Sequence, residues 1–107
     1  MSSLIDIKLH RLKLSLDYYD DVMSGAKNFE VRKNDRDYQV GDLIEFLPSE
    51  RGVALPKCDD RIFLITYMLS SSQFDAIKDG YVVLGICEIR EAKPEVRNNN
   101  ESEEVAP

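Results

Sequence analysis

Histidine, cysteine and glycine are scarce in this 107-residue chain, and each scarcity excludes a class of site. Its single histidine, His10, and its 2 cysteines, Cys58 and Cys87, are too few and too far apart for a zinc site. The 5 glycines form neither a phosphate-binding loop nor a dinucleotide-binding motif. We therefore expect no metal and no cofactor, and we expect both cysteines to be free thiols.

Long apolar runs are also missing, since none approaches the roughly 18 residues that span a membrane. The first residues lack the positive segment, apolar stretch and small-residue cleavage site of a secretory signal. We therefore expect a cytoplasmic protein with no membrane partner. With 43% hydrophobic residues, a chain of this length can form one small hydrophobic core but not two. This predicts a single domain over residues 1–90.

The net charge of -6 is unevenly distributed along the chain. Residues 91–107 carry half of this charge. They have too few apolar side chains to offset the conformational entropy lost on ordering, which predicts an acidic, disordered tail. Two short segments concentrate cations: Lys8, Arg11, Lys13, Lys27, Arg32, Lys33 and Arg36. A locally basic surface on an acidic protein suits a small anionic ligand or a specific nucleic-acid element better than indiscriminate binding.

The spacing of the apolar residues predicts about five strands and one clear helix. Residues 4–10 alternate apolar and polar, as in a strand with one buried face. From Ser15 the spacing becomes helical, and Gly25 stands where that helix would end. Further strands are predicted at 27–33, 43–47, 61–69 and 81–89, with turns at 34–37 and at Gly41-Asp42 and a short helical turn around Phe74 and Ile77. The sum is an α+β fold with a mixed or barrel-like sheet.

The strand at 27–33 combines an apolar face with a charged one. Alternation places Phe29 and Val31 on the first face, which a structural strand would bury, and Glu30 and Arg32 on the second, where a site could be built. In a cleft, Lys27 could act as base or nucleophile, Glu30 could orient it or carry a proton, and Arg32 could hold a phosphate, a carboxylate or a base edge. The alternative is an ion pair of Glu30 with either cation on a solvated strand face.

The pattern Gly25-x-Lys27-x-x-Glu30-x-Arg32, between a short helix and the turn Val40-Gly41-Asp42, resembles the motif of the ASCH domain in the PUA-like superfamily. The wider sequence is similar to a small family of uncharacterised ASCH-like proteins of phages and bacteria through His10-x-Leu12-Lys13, residues 29–37, Ile65-Thr66-Tyr67 and residues 80–84. The resemblance implies a PUA-like mixed β-barrel of about five strands, with one or two flanking helices and a cleft beside the motif.

The resemblance also implies a function, because members of the superfamily bind RNA or modified bases. We therefore predict RNA or a nucleoside-type ligand as the partner. One group of small ASCH proteins hydrolyses acetylcytidine with the help of the motif lysine, which corresponds to Lys27 here. An amidohydrolase acting on acylated nucleosides, with Lys27 and Glu30 as its catalytic residues, is the alternative function. A phage-encoded interaction protein that blocks a host factor is a third.

The predicted ligand-binding residues surround this motif: His10, Lys13, Arg32, Lys33, Arg36 and Tyr67. His10 belongs to the set through the His10-x-Leu12-Lys13 resemblance, and the alternative is an exposed or hydrogen-bonded histidine with no role in a site. Tyr67, like Tyr38, could stack on a base, and the alternative for both is burial with a bonded hydroxyl. The residues at 34–37, Arg36 among them, could equally serve only to build a turn.

Overall fold

The computed structural model describes residues 7–57 and 59–89, which form a mixed sheet and one helix. In chain order the elements are β1 (Leu9–Ser15), α1 (Leu16–Ser24), β2 (Phe29–Lys33), β3 (Leu43–Glu50), β4 (Val53–Ala54), β5 (Ile62–Ser70) and β6 (Tyr81–Ile89). The predicted α+β class is confirmed. The predicted disordered tail at 91–107 and Cys58 lie outside the described residues, while Cys87 is a free, exposed thiol.

The strands of the sheet follow the order β1-β3-β5-β6-β2, and the short β4 pairs with the end of β3. β1 runs parallel to β3, and the other pairings between described strands are antiparallel. β1 and β2 are therefore the two edges, and no backbone pairing joins them within residues 7–57 and 59–89. Because the sheet is not closed, a barrel is not confirmed. The central position predicted for the last strand is confirmed, since β6 lies between β5 and β2.

The first strand begins later than predicted, and it buries the opposite face. It starts at Leu9, which is exposed, and it buries His10, Leu12 and Leu14. Ile5, Ile7 and Leu9 occupy odd positions, whereas Leu12 and Leu14 occupy even ones. The alternation therefore changes phase inside the segment. Leu12 and Leu14 decide which face of β1 turns inward, because burying both removes more apolar surface from water than burying Leu9 on the opposite face would. His10 shares their face and is buried with them.

The core joins one side of α1 to the inner face of the sheet. The helix contributes Tyr19 and Val22, and β1, β3, β5 and β6 contribute most of the remaining buried side chains. Ser15 caps the helix, because its hydroxyl accepts a hydrogen bond from the Asp17 N–H at 3.1 Å. Gly25 ends it as predicted, at a φ of 86° that favours glycine. No helix in the described part of the chain is long and apolar enough to cross a membrane.

The predicted turns lie within the described residues. At 34–37 the chain bends, with the Asp35 N–H donating to the Lys33 carbonyl at 2.9 Å. The Gly41-Asp42 turn is confirmed, with the Asp42 N–H donating to the Gln39 carbonyl at 3.0 Å. Around Phe74 and Ile77 the chain forms turns, including one bond from the Ile77 N–H to the Phe74 carbonyl at 3.0 Å, but no helix.

The segment after β4 is tied to the sheet by a buried carboxylate on β3. Glu45 points away from the core residues Ile44 and Phe46, and it accepts hydrogen bonds from Lys57 and, at 2.9 Å, from Arg11 Nε. The hydrogen bond from Lys57, supported by Arg11, lowers the pKa of the Glu45 carboxyl below its usual range. The same bond raises the pKa of Lys57.

We expect Glu45→Gln to make folding stability less sensitive to acid. Because the folded pKa of Glu45 lies below its ordinary value of 4.5, its contribution is present above that pH and is lost as the pH falls through the folded pKa. Urea unfolding at pH 7 and pH 3 measures this as the drop in the free energy of unfolding, which should be smaller in Glu45→Gln than in the parent. Glu50→Gln, at an exposed position, is the control and should match the parent. An equal drop in all three proteins would contradict the prediction.

Candidate functional site

β2 turns its charged face inward, which is the reverse of the predicted arrangement. Glu30 is only 4% exposed, whereas Phe29 and Val31 are 44% and 54% exposed. Glu30 pairs across the strands with the fully buried Leu84 of β6, so it continues the inner face of the sheet. A carboxylate can occupy such a position only when cations and hydrogen-bond donors compensate its lost hydration.

Two cations provide that compensation, one at each oxygen of the Glu30 carboxylate. Oε2 accepts from Lys27 Nζ, and Oε1 accepts from Arg32 Nε at 3.1 Å. The ion pair considered as the alternative from sequence is therefore present, although it lies on the buried face of the strand. The side chains of Lys27 and Arg32 are 19% and 22% exposed, so both remain within reach of solvent.

Lys27, in the connection between α1 and β2, is held by four contacts with three residues. Its Nζ donates to the Phe29 carbonyl at 2.9 Å as well as to Glu30, and it lies 5.1 Å and 4.8 Å from the ring centroids of Tyr18 and Phe29. The left-handed Gly25 turns the chain out of the helix just before this lysine. All these contacts suit an ammonium that donates hydrogen bonds. An attacking amine would need its lone pair free, so the geometry favours a charged, orienting lysine over a nucleophile.

The gap between the edges of β1 and β2, which we call the seam, is bridged by two arginine side chains. Arg32 Nη2 donates to the Lys13 carbonyl at 2.7 Å, and Arg36 Nη1 donates to the Arg11 carbonyl at 3.5 Å. The edges of the open sheet are thus connected by two side chains, Arg32 from β2 and Arg36 from the segment that follows it.

His10 and Tyr38 continue the polar lining on the inner side of the sheet. His10 Nε2 lies 2.8 Å from Asp42 Oδ2, both groups are buried, and the His10 and Tyr38 ring centroids are 4.8 Å apart. Burial raises the pKa of the Tyr38 hydroxyl, while the guanidinium groups of Arg32 and Arg36 act in the opposite direction. For His10, the predicted alternative of a hydrogen-bonded histidine fits its partner Asp42, whereas an exposed one does not.

Two open cavities meet at Lys27. The first, which we call the motif cleft, has a volume of about 330 Å³ and is lined by Tyr18, Lys27, Phe29, Glu30 and Val31. The second has a volume of about 300 Å³ and lies between the end of α1 and strands β5 and β6. Each volume is in the range of pockets that hold one small molecule. Lys27 is therefore placed to contact a ligand in either cavity.

The structure brings most of the predicted site residues together along the inner face and the seam: His10, Lys13, Lys27, Glu30, Arg32 and Arg36. Lys13 contributes its carbonyl to the seam, whereas its ammonium donates to the Gly52 carbonyl at 2.9 Å. Lys33 and Tyr67 are separated from this group, because both lie on the outer face of the sheet, where Tyr67 is 64% exposed. The alternative of a buried Tyr67 is therefore wrong.

Sequence reasoning missed the two aromatic walls of the motif cleft, Tyr18 and Phe29. Tyr19 and Val22 are three residues apart, so they lie on one face of the helix and are both buried. The adjacent Tyr18 lies off that face and is exposed. Two adjacent tyrosines in a helix point in different directions, which is the one signal that could have singled out Tyr18. Within residues 7–57 and 59–89, no cluster of His, Cys, Asp and Glu is arranged to hold a metal ion.

A family model described as "Domain of unknown function (DUF3850)" matches residues 9–86. The chain belongs to this family. The matched region starts with β1 and reaches into β6, so it contains both the motif cleft and the seam. The chain is also similar to the "Uncharacterized 12.9 kDa protein in GpA 3'region" of Escherichia phage P2, with 46% identity over 37 residues. That match covers 35% of this chain and 34% of the phage protein, so the chain spans about a third of this relative's length.

We expect Glu30→Ala to destabilise the fold by about 3 kcal/mol, because it leaves two partly buried cations facing each other without their shared carboxylate. Urea unfolding measures the loss. The control is Glu50→Ala, an exposed glutamate whose removal should change the free energy of unfolding by about 0.5 kcal/mol or less. Similar unfolding curves for the two variants would show that the Glu30 contacts contribute little.

Proposed function

We propose that this chain binds a nucleoside-type ligand, either a free nucleotide, a modified base or one base of an RNA, in the motif cleft. The observation that carries the proposal is the position of Lys27, whose ammonium is fixed by Glu30 at the wall between two open cavities. A fixed donor beside a cleft can select a ligand by its acceptor atoms, because it does not need to reorganise on binding.

The walls of the motif cleft support the same ligand class. Tyr18 and Phe29 are half exposed beside Lys27, and aromatic rings of this kind stack on bases. A cavity of about 330 Å³ accepts a single nucleoside but not a duplex. The seam arginines supply planar donors suited to a phosphate or a base edge.

The proposal includes the PUA-like relationship implied by the Gly25-x-Lys27-x-x-Glu30-x-Arg32 motif. It is supported by a sheet whose edges β1 and β2 approach within reach of one arginine side chain, as in a barrel that lacks one line of backbone pairing. The seam would then correspond to the line along which such a barrel closes.

We expect Lys27→Ala to weaken nucleoside binding at least tenfold, because a charged hydrogen bond of about 1.5 kcal/mol or more is lost. Isothermal titration with the four ribonucleosides and their monophosphates measures this. Lys8→Ala is the matched control, since it removes one lysine whose ion pair with Asp37 lies outside the cleft. Circular dichroism confirms that both variants are folded. Equal affinities in Lys27→Ala and the parent, or no binding of any of these ligands, would overturn the proposal.

The second candidate function is an amidohydrolase acting on acylated nucleosides such as acetylcytidine. The direct contact of Lys27 with Glu30 is the observation in its favour, because hydrolysis needs a carboxylate base beside a group that stabilises negative charge. In this reaction Glu30 would take a proton from the attacking water, the Lys27 ammonium would stabilise the oxyanion, and the C–N bond would break with the amine taking up the proton.

We expect release of cytidine and acetate from acetylcytidine if this second candidate is right. Chromatography of the reaction mixture measures the products, and both Lys27→Ala and Glu30→Gln should abolish their formation. Lys8→Ala should retain the parent's rate. No turnover of a panel of acylated nucleosides by the parent protein would reject hydrolysis and leave binding as the proposed function.

A further inference from the structure

The outer face of the sheet carries an exposed aromatic pair around a glycine. Phe29 on β2 and Tyr67 on β5 are both paired with Gly85 of the intervening strand β6. Directly opposed residues of antiparallel strands project from the same face, so the two rings stand on either side of Gly85. They are 44% and 64% exposed, and neither belongs to the hydrophobic core.

The floor between these rings is formed by the backbone of Gly85 and by Thr66, which packs closely over it. A Cβ at Gly85 would lie 3.2 Å from Thr66 Oγ1 and 3.4 Å from the Cβ of Tyr67, so any other residue would crowd this position. Two strand spacings separate the backbones of Phe29 and Tyr67, which is about 10 Å. A planar ring can enter a slot of that width and stack on an aromatic wall.

Two lysines stand at one end of the same face. Lys33 is paired with Tyr81 across the strands, and Lys78 Nζ lies 5.3 Å from the Tyr81 ring centroid. Neither lysine forms an ion pair with a carboxylate among the described residues. On a chain with a net charge of -6, uncompensated cations beside exposed rings define a surface complementary to a polyanion.

We propose that this outer-face patch, formed by Phe29, Tyr67, Tyr81, Lys33 and Lys78, binds single-stranded nucleic acid. One unpaired base stacks in the slot over Gly85, and the two lysines contact backbone phosphates further along the strand. Sheet faces with exposed aromatic residues bind single strands in this way, because every base offers a ring face for stacking. The patch is separate from the motif cleft except for Phe29, so it extends the proposed function to a second surface and does not depend on the cleft.

The test uses a labelled single-stranded oligouridylate of twelve nucleotides and a duplex of the same length, each titrated by fluorescence anisotropy at several salt concentrations. We expect the single strand to bind more tightly than the duplex, whose bases are already stacked. Tyr67→Ala should weaken single-strand binding roughly 5- to 100-fold, whereas Tyr67→Phe should retain it because the ring remains. Val53→Ala is the control for an exposed apolar side chain away from the patch.

The lysines are tested by the salt dependence of the same titrations. Lys33→Ala should reduce the slope of log affinity against log salt by about 0.7, the value for one phosphate contact on a single strand. Lys8→Ala, which removes the same charge elsewhere, should leave the slope unchanged. Tyr67→Trp adds a direct readout, because the chain contains no tryptophan and a stacked base should quench the new fluorescence on saturation.

Three outcomes would overturn this proposal: Tyr67→Ala binding like the parent, the duplex binding as tightly as the single strand, or no binding of either. A dimer in sedimentation that disappears in Tyr67→Ala while oligonucleotide binding is unaffected would assign the patch to self-association instead. The cleft is tested separately, because Tyr67→Ala should leave nucleoside binding intact. Oligonucleotide binding that requires Tyr67, in a protein that binds no nucleoside, would support the patch and reject the cleft.

Discussion

The structure depends on one buried carboxylate, that of Glu30, which lies between two cations. A buried carboxylate without partners is so costly that it either takes up a proton or unfolds its surroundings. Here Lys27 and Arg32 each hold one oxygen, and each also donates to a backbone carbonyl, Phe29 for the lysine and Lys13 for the arginine. Through these bonds a single charge aligns the end of α1, the strand β2 and the edge of β1.

The inversion of β2 explains how one short strand contributes to two surfaces. Its charged residues turn inward to line the motif cleft and the seam, so its apolar residues are left on the outer face. Phe29 takes part in both, because its ring borders the cleft beside Lys27 and also stands next to Gly85. A strand with the predicted orientation, apolar side inward, would have neither the buried ion pairs nor the aromatic slot.

The predictions from sequence succeeded where the signals are local. The helix and its stop at Gly25, and the strand at 81–89, depend on spacing and on neighbouring residues, and the structure confirms both. The errors concern which face is buried. His10 shares the buried face of Leu12 and Leu14, and Asp42, thirty-two residues away, provides its polar partner there. No periodicity in the sequence reveals that pairing. The error at Glu30 has a related cause. Alternation of apolar and charged residues predicts that the charged ones are exposed, and it carries no information on whether two nearby cations compensate a buried carboxylate. The motif spacing of Glu30 with Lys27 and Arg32 nevertheless identified the three side chains that meet.

An open sheet presents two unpaired edges to which strands of other molecules can add, and this is a common origin of aggregation. In this chain Arg32 donates to the Lys13 carbonyl and Arg36 donates to the Arg11 carbonyl. These are backbone acceptors on β1 to which an incoming strand would otherwise hydrogen-bond. An added strand would have to displace two cations, one of which is bound to the buried Glu30. The side chains that bridge the seam therefore also protect the molecule against edge-to-edge association, without a closed ring of strands.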